Sequence, residues 1–299
     1  MATTATRLGA SIDHQRAWDL GYELLELTGS GAYCDVWRVR HRETCEVFLW
    51  KQLRPEWEHE PAARASLENE AAVGQLVRSP LLPRLVEAHV AERPRYAIWE
   101  CFEGRSVEYL WREYRSLPIR SALWIARQCV QGLEDLLRGG LVHGDLSPAN
   151  VLVSTRTGLV KLTELGASRR VPMSAGSVAL NETPRPHFRA SGPAGDYNSV
   201  VSPPHLQGVS KDLYQVGIIL FRSLAGRMPF EGETAADMLR GRQTNLADDL
   251  RRVRPEISTA LAEVVRDLLS DQSQRRFNHP AELVVRLMEF ELDELVKCA

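Results

Sequence analysis

The apolar residues of this chain change their spacing once, near Gly104, and that change limits the folds open to it. From Tyr22 onward they come in short runs of strand character: "YELLELT", "CDVWRVRH", "CEVFLWKQL", then "RLVEAHVA" and "RYAIWECF". One helix-like stretch, "ASLENEAAVGQLV", follows a link rich in proline and charge. Beyond Gly104 the period lengthens. "SALWIARQCVQGLEDLLRGG" repeats apolar residues three and four apart and ends on a Gly-Gly stop signal. "KDLYQVGIILFRSLAG", "ALAEVVRDLLS" and "PAELVVRLMEFELDELVK" continue as helices. The pattern predicts an α+β chain of two lobes: a small β-rich one with one main helix at 20–103, and a larger helical one at 104–299. Residues 1–19 read as a loosely held tail. A chain of 299 residues is long enough to give each lobe its own core.

Charge and cysteine usage exclude several function classes. The formal net charge is −2, so no overall field favours nucleic acid or an anionic membrane. Five cysteines are scattered singly without a CxxC pair, which signals neither a disulfide scaffold nor a zinc site. No apolar run reaches the ~18 residues of a membrane span. The first residues lack the apolar core of a secretory signal, and a reducing cytoplasm is the expected location.

Three places carry candidate chemistry. "GGLVHGDLSPANVLVST" sets His143, Asp145 and Asn150 around a turn between two strand-like runs. Asp and Asn at a turn ordinarily cap local backbone, but polar groups placed between two strands also mark a site. "TGSGAYCDV" puts Gly29 and Gly31 in a hairpin whose bare backbone could close over phosphate; alone it is a plain hairpin. Lys51 on a strand and Glu70 on the helix would usually be surface residues. As a pair, the carboxylate would aim the ammonium.

Taken in order and spacing, these motifs resemble the eukaryotic-type protein kinase domain of bacterial serine/threonine kinases, over residues 22 to about 290. The resemblance implies a bilobal fold, ATP and Mg2+ as cofactors, and a protein substrate or partner. It assigns Gly29 and Gly31 to the glycine-rich loop and Lys51, held by Glu70, to the α- and β-phosphates. Asp145 becomes the residue that accepts the substrate hydroxyl proton, and Asn150 a magnesium ligand, with Glu164 at the other metal position. Val36, Leu49, Trp99, Glu100, Phe102 and Leu152 fall in the nucleotide pocket. Asp212 matches the buried aspartate that braces the catalytic loop.

Several residues depart from the family pattern. Cys34 replaces the third loop glycine, and Gly144 the arginine that receives an activating phosphate. Ser147 stands for a lysine, and "ELG" at Glu164–Gly166 for DFG. The extra methylene of Glu164 moves its carboxylate by roughly 1.5 Å on a fixed backbone. Leu49 and Trp99 are bulky and predict a tight adenine pocket. Gly74, four residues after Glu70, leaves a gap where the family has an apolar side chain. His205 replaces a glutamate whose partner would be Arg275, and the link from His205 to Asp212 is short. The long Ser/Pro/Gly-rich segment after Arg169 reads as functional or mobile, with Ser174, Ser177 and Thr183 as phosphorylation candidates. These departures favour a pseudokinase with a regulatory or scaffolding role and weak or absent phosphoryl transfer. An active serine/threonine kinase is the alternative, and a small-molecule phosphotransferase a third.

Overall fold

A computed structural model describes residues 14–171, 206–230, 246–270, 277 and 279–297. They form two compact units: residues 14–78 with 83–102, and residues 79–82 with the described residues from 103 onward.

The first unit is a five-stranded antiparallel sheet: β1 (Tyr22–Ser30), β2 (Cys34–His41), β3 (Val47–Leu53), β4 (Leu85–His89) and β5 (Tyr96–Glu100), in the order β1-β2-β3-β5-β4. Among the described residues it also carries the α-helices α1 (His14–Asp19) and α2 (Pro61–Leu76). Strand alternation sends side chains to two faces. Tyr22, Trp37, Val39, Phe48, Trp50, Tyr96 and Ile98 make one core cluster; Cys34, Leu53, Ala63, Leu67, Ala97 and Trp99 make the other.

Residues 14–19, read from sequence as tail, are helical. The first face is the reason: its aromatic residues bury Ala17 of α1 completely. Arg16 lies over the Tyr96 ring and 3.1 Å from His89 Nε2. Pro61 opens α2 at a position where the missing N–H costs nothing.

In the second unit, β6 (Arg105–Ser106), β8 (Val151–Val153) and β9 (Val160–Leu162) form one small sheet; β7 (Leu141–Val142) pairs with β10 (Arg169–Arg170). The helices are α3 (Val107–Glu113), α4 (Ile119–Arg138), α5 (Gly208–Ala225), α6 (Leu246–Val253), α7 (Thr259–Leu268) and α8 (Pro280–Val296). α4 ends as the sequence predicts, with Gly139 as cap and Gly140 at φ +72°. α5 is almost wholly buried, as its apolar run requires. Residues 79–82 belong to this unit because β9 claims them: Leu162 N–H donates to Leu81 O at 2.8 Å and Lys161 Nζ to Leu82 O at 2.9 Å.

Candidate active site

The candidate residues fall into two groups, one in each unit. In the first unit, β3 places Lys51 at mid-sheet between Val36 of β2 and Ala97 of β5. α2 brings Glu70 to it, Nζ to Oε2 2.7 Å, with the side chains only 12% and 9% exposed. Glu68, the other glutamate of this turn, is exposed.

Gly29 and Gly31 are exposed at the β1–β2 hairpin, just past a register shift between Leu27 and Gly29. A Cβ at Gly29 would meet nothing within 4 Å, and one at Gly31 only Cys34 O at 3.5 Å. Neither glycine is demanded by the packing of its own hairpin. Their bare backbone, with a cation fixed on the neighbouring strand, suits the phosphates of a nucleotide. Leu49 and Trp99 face each other across β3 and β5. Glu100 at the end of β5 accepts a hydrogen bond from Arg84 N–H at 2.9 Å, and Phe102 is half-buried beyond it. Trp99 is not turned outward: its ring edge occupies the space over Gly74, so the gap predicted there is filled from β5.

The second unit holds Asp145, Asn150, Leu152 and Glu164. The turn between β7 and β8 is braced from below by α5. Asp212 accepts His143 N–H at 2.8 Å and Gly144 N–H at 3.0 Å, and Lys211 Nζ donates to Gly144 O at 3.1 Å. Burial pushes the Asp212 carboxyl up to about 7, although both amides, Lys211 and Arg169 pull the other way. His143 is fully buried, and desolvation lowers it to about 4, against the Thr163 carbonyl and Glu164. It is therefore neutral near pH 7. Its Nε2 lies 3.1 Å from Thr163 O, and Asp145 N–H points at its Nδ1 at 3.3 Å, which sets the tautomer with the proton on Nε2. One imidazole thus ties the backbone of Asp145 to the residue preceding Glu164.

Asp145 and Glu164 are both exposed. Asn150 Nδ2 donates to Asp145 O at 2.9 Å and lies 3.4 Å from Asp145 Oδ2, which leaves its Oδ1 as the acceptor it presents. That oxygen and the Glu164 carboxylate are hard donors of the kind magnesium takes. Among the described residues there is no cluster of three or more His, Cys, Asp or Glu that would cage a metal, so water and phosphate would complete the shell. Leu152 is half-buried in β8, between Ser106 and Lys161. Ser147 is buried and supplies no charge to the turn.

Glu164 sits at φ 62°, ψ 51°, a left-handed conformation uncommon for a side chain with a Cβ. Its neighbours impose it. Thr163 N–H and Oγ1 both donate to Asn150 O, at 2.9 and 3.2 Å, and Leu165 and Gly166 are buried in the 3-10 turn that follows. Sequence reasoning missed the Thr163 carbonyl and Lys211, because a backbone acceptor and a lysine beside the buried aspartate carry no local signal. His205, Arg275 and the residues 172–205, with their phosphorylation candidates, lie outside the described residues.

The Asp212 shift gives a pH test. An acid whose folded pKa is raised stabilises the fold most below its unfolded value, and this is lost as pH rises through the folded one. The stability gap between wild type and Asp212→Asn should therefore shrink between about pH 4 and pH 7, by on the order of 4 kcal/mol. Urea unfolding of both proteins across that range measures it; a constant gap would mean that Asp212 does not titrate there.

A protein kinase domain model matches residues 22–286 of the chain. A probable serine/threonine-protein kinase of Clostridium perfringens is 22% identical over 276 residues, 91% of this chain and 38% of the relative. A serine/threonine-protein kinase of Corynebacterium efficiens is 26% identical over 88% of this chain and 49% of its own length. A probable serine/threonine-protein kinase of Lactococcus lactis, PknB, is 26% identical over 88% of this chain and 41% of its own length. The chain spans less than half the length of each of these relatives. No described helix is long and apolar enough to cross a membrane.

Proposed function

The chain belongs to the protein kinase domain family, and from that membership we propose a nucleotide-binding kinase-fold module with weak or absent phosphoryl transfer, acting on a protein partner. The observation that carries this reading is Glu164. Its backbone is fixed by Asn150, Leu165 and Gly166, so the extra methylene cannot be absorbed by a retreat of the chain. Magnesium held by Asn150 and Glu164 would screen the phosphate charges, but it requires oxygens at about 2.0–2.1 Å in near-octahedral array. An offset on the order of 1 Å costs about 100-fold in rate. Ser147 adds no cation to offset the loss.

Nucleotide binding is the part of the family chemistry that the first unit supports. Lys51 is paired, the glycine backbone is bare, and the Trp99 ring is engaged at Gly74. The alternative, an active serine/threonine kinase, is favoured by one feature: Asn150 Nδ2 is bonded to Asp145 O, which fixes the two residues relative to each other. We place the domain in the cytoplasm, on the strength of its scattered cysteines.

Titration of wild type and Lys51→Met with ATP, with and without magnesium, tests the reading. Wild type should bind in both conditions, magnesium should add little, and Lys51→Met should weaken binding about tenfold or more, the loss of one charge-assisted contact. Absence of nucleotide binding in wild type would reject it.

A further inference from the structure

We infer that Trp99 is a positioning residue for the Lys51–Glu70 pair: its indole is a wedge that sets α2 against the sheet through Gly74. The inference rests on the reading above only for the use made of the pair. Gly74 lies one turn beyond Glu70 on the same side of α2. An ideal Cβ at Gly74 would stand 2.7 Å from Trp99 Cη2, 2.8 Å from Cζ3 and 3.0 Å from Leu85 Cβ. The outer ring of the indole therefore occupies the volume that any side chain at 74 would need. Small on the helix and large on the strand form a complementary pair.

Trp99 is well placed to transmit position. It is 5% exposed, paired with Leu49 of β3 on one side and Leu85 of β4 on the other. Leu49 is two residues from Lys51 and on the same face of β3. The ring thus packs against the helix that carries Glu70, from a strand paired directly with the one that carries Lys51. Its Nε1 is buried without a hydrogen-bond partner among the described residues, which lowers stability. What the indole contributes here is shape. In a close-packed interior, removal of that shape leaves α2 without its stop, and the carboxylate one turn away moves with it.

The test is a size swap in the full chain: Trp99→Ala, Gly74→Leu, and both together. The readout is acylation of Lys51 by an amine-reactive reagent, quantified by mass spectrometry against the exposed Lys297. Each single variant should raise Lys51 labelling about tenfold, the scale of coupling between touching residues. The double variant should recover most of the protection, because leucine from the helix refills the space vacated on the strand. Should Trp99→Ala fail to fold, Trp99→Phe decides: it keeps an aromatic ring but withdraws it from Gly74, and labelling should still rise. Unchanged labelling in a folded Trp99 variant, or single effects that simply add in the double, would overturn the inference. Labelling needs neither nucleotide nor phosphoryl transfer, so this result and the fate of the proposed function are independent.

Discussion

Glu164→Asp is expected to raise magnesium-dependent ATP turnover by about 100-fold, the factor that an offset on the order of 1 Å removes. Shortening an acid usually impairs a site; here it should repair one. The backbone at 164 is held by hydrogen bonds from Thr163 to Asn150 and by the buried 3-10 turn at Leu165–Ala167. The carboxylate position is therefore decided by side-chain length. Aspartate would place its oxygens closer to the backbone, and with Asn150 Oδ1 they would be the residues to hold magnesium. The substitution leaves charge and exposure unchanged, so a gain reports geometry. Steady-state ATP hydrolysis at several magnesium concentrations measures it. Equal turnover for the two proteins would move the defect elsewhere, to Ser147 or the nucleotide pocket.

Gly144→Ala should cost about 2–5 kcal/mol of stability, the sum of a left-handed L-residue and an overpacked contact. Gly144 sits at φ +80°, and a Cβ there would lie 2.6 Å from Ala167 O. The atoms around it have little room to yield. Gly144 N–H is bonded to Asp212, its carbonyl accepts from Lys211, and Arg169 pairs with Val142 in the adjoining ladder. The 165–167 turn would have to shift, and that turn fixes Glu164. The family's arginine at this position therefore cannot be restored by one substitution: Gly144→Arg should show the same loss. Thermal unfolding of both variants checks this, and a midpoint equal to wild type would show that the turn is more yielding than its contacts imply.

The fold was legible in the sequence because it rests on long periodic signals. Strand runs from Tyr22 and helical repeats after Gly104 are read from many residues at once, and the Gly139–Gly140 stop depends on a backbone conformation that few other residues adopt. The helix at 14–19 escaped notice because six residues hold too little periodicity, and its stability comes from the aromatic face that buries Ala17. Within the candidate site, packing was not readable. Gly74 and Trp99 each appear anomalous alone, one too small and one too large. Only their contact, between a helix and a strand 25 positions apart in sequence, shows that they compensate.

We propose that this domain keeps the geometry of the turn around Asp145 and Asn150, while Glu164 and Ser147 deliver too little charge to a phosphoryl group. The most direct measurement is transfer of the γ-phosphate of labelled ATP, in magnesium, by wild type and Asp145→Asn, to itself and to a generic protein substrate. Wild-type transfer should lie at least about 100-fold below the roughly 1–100 per second of an ordinary kinase, with nucleotide binding surviving in both proteins. Robust wild-type phosphorylation that disappears in Asp145→Asn would contradict it and establish an active kinase.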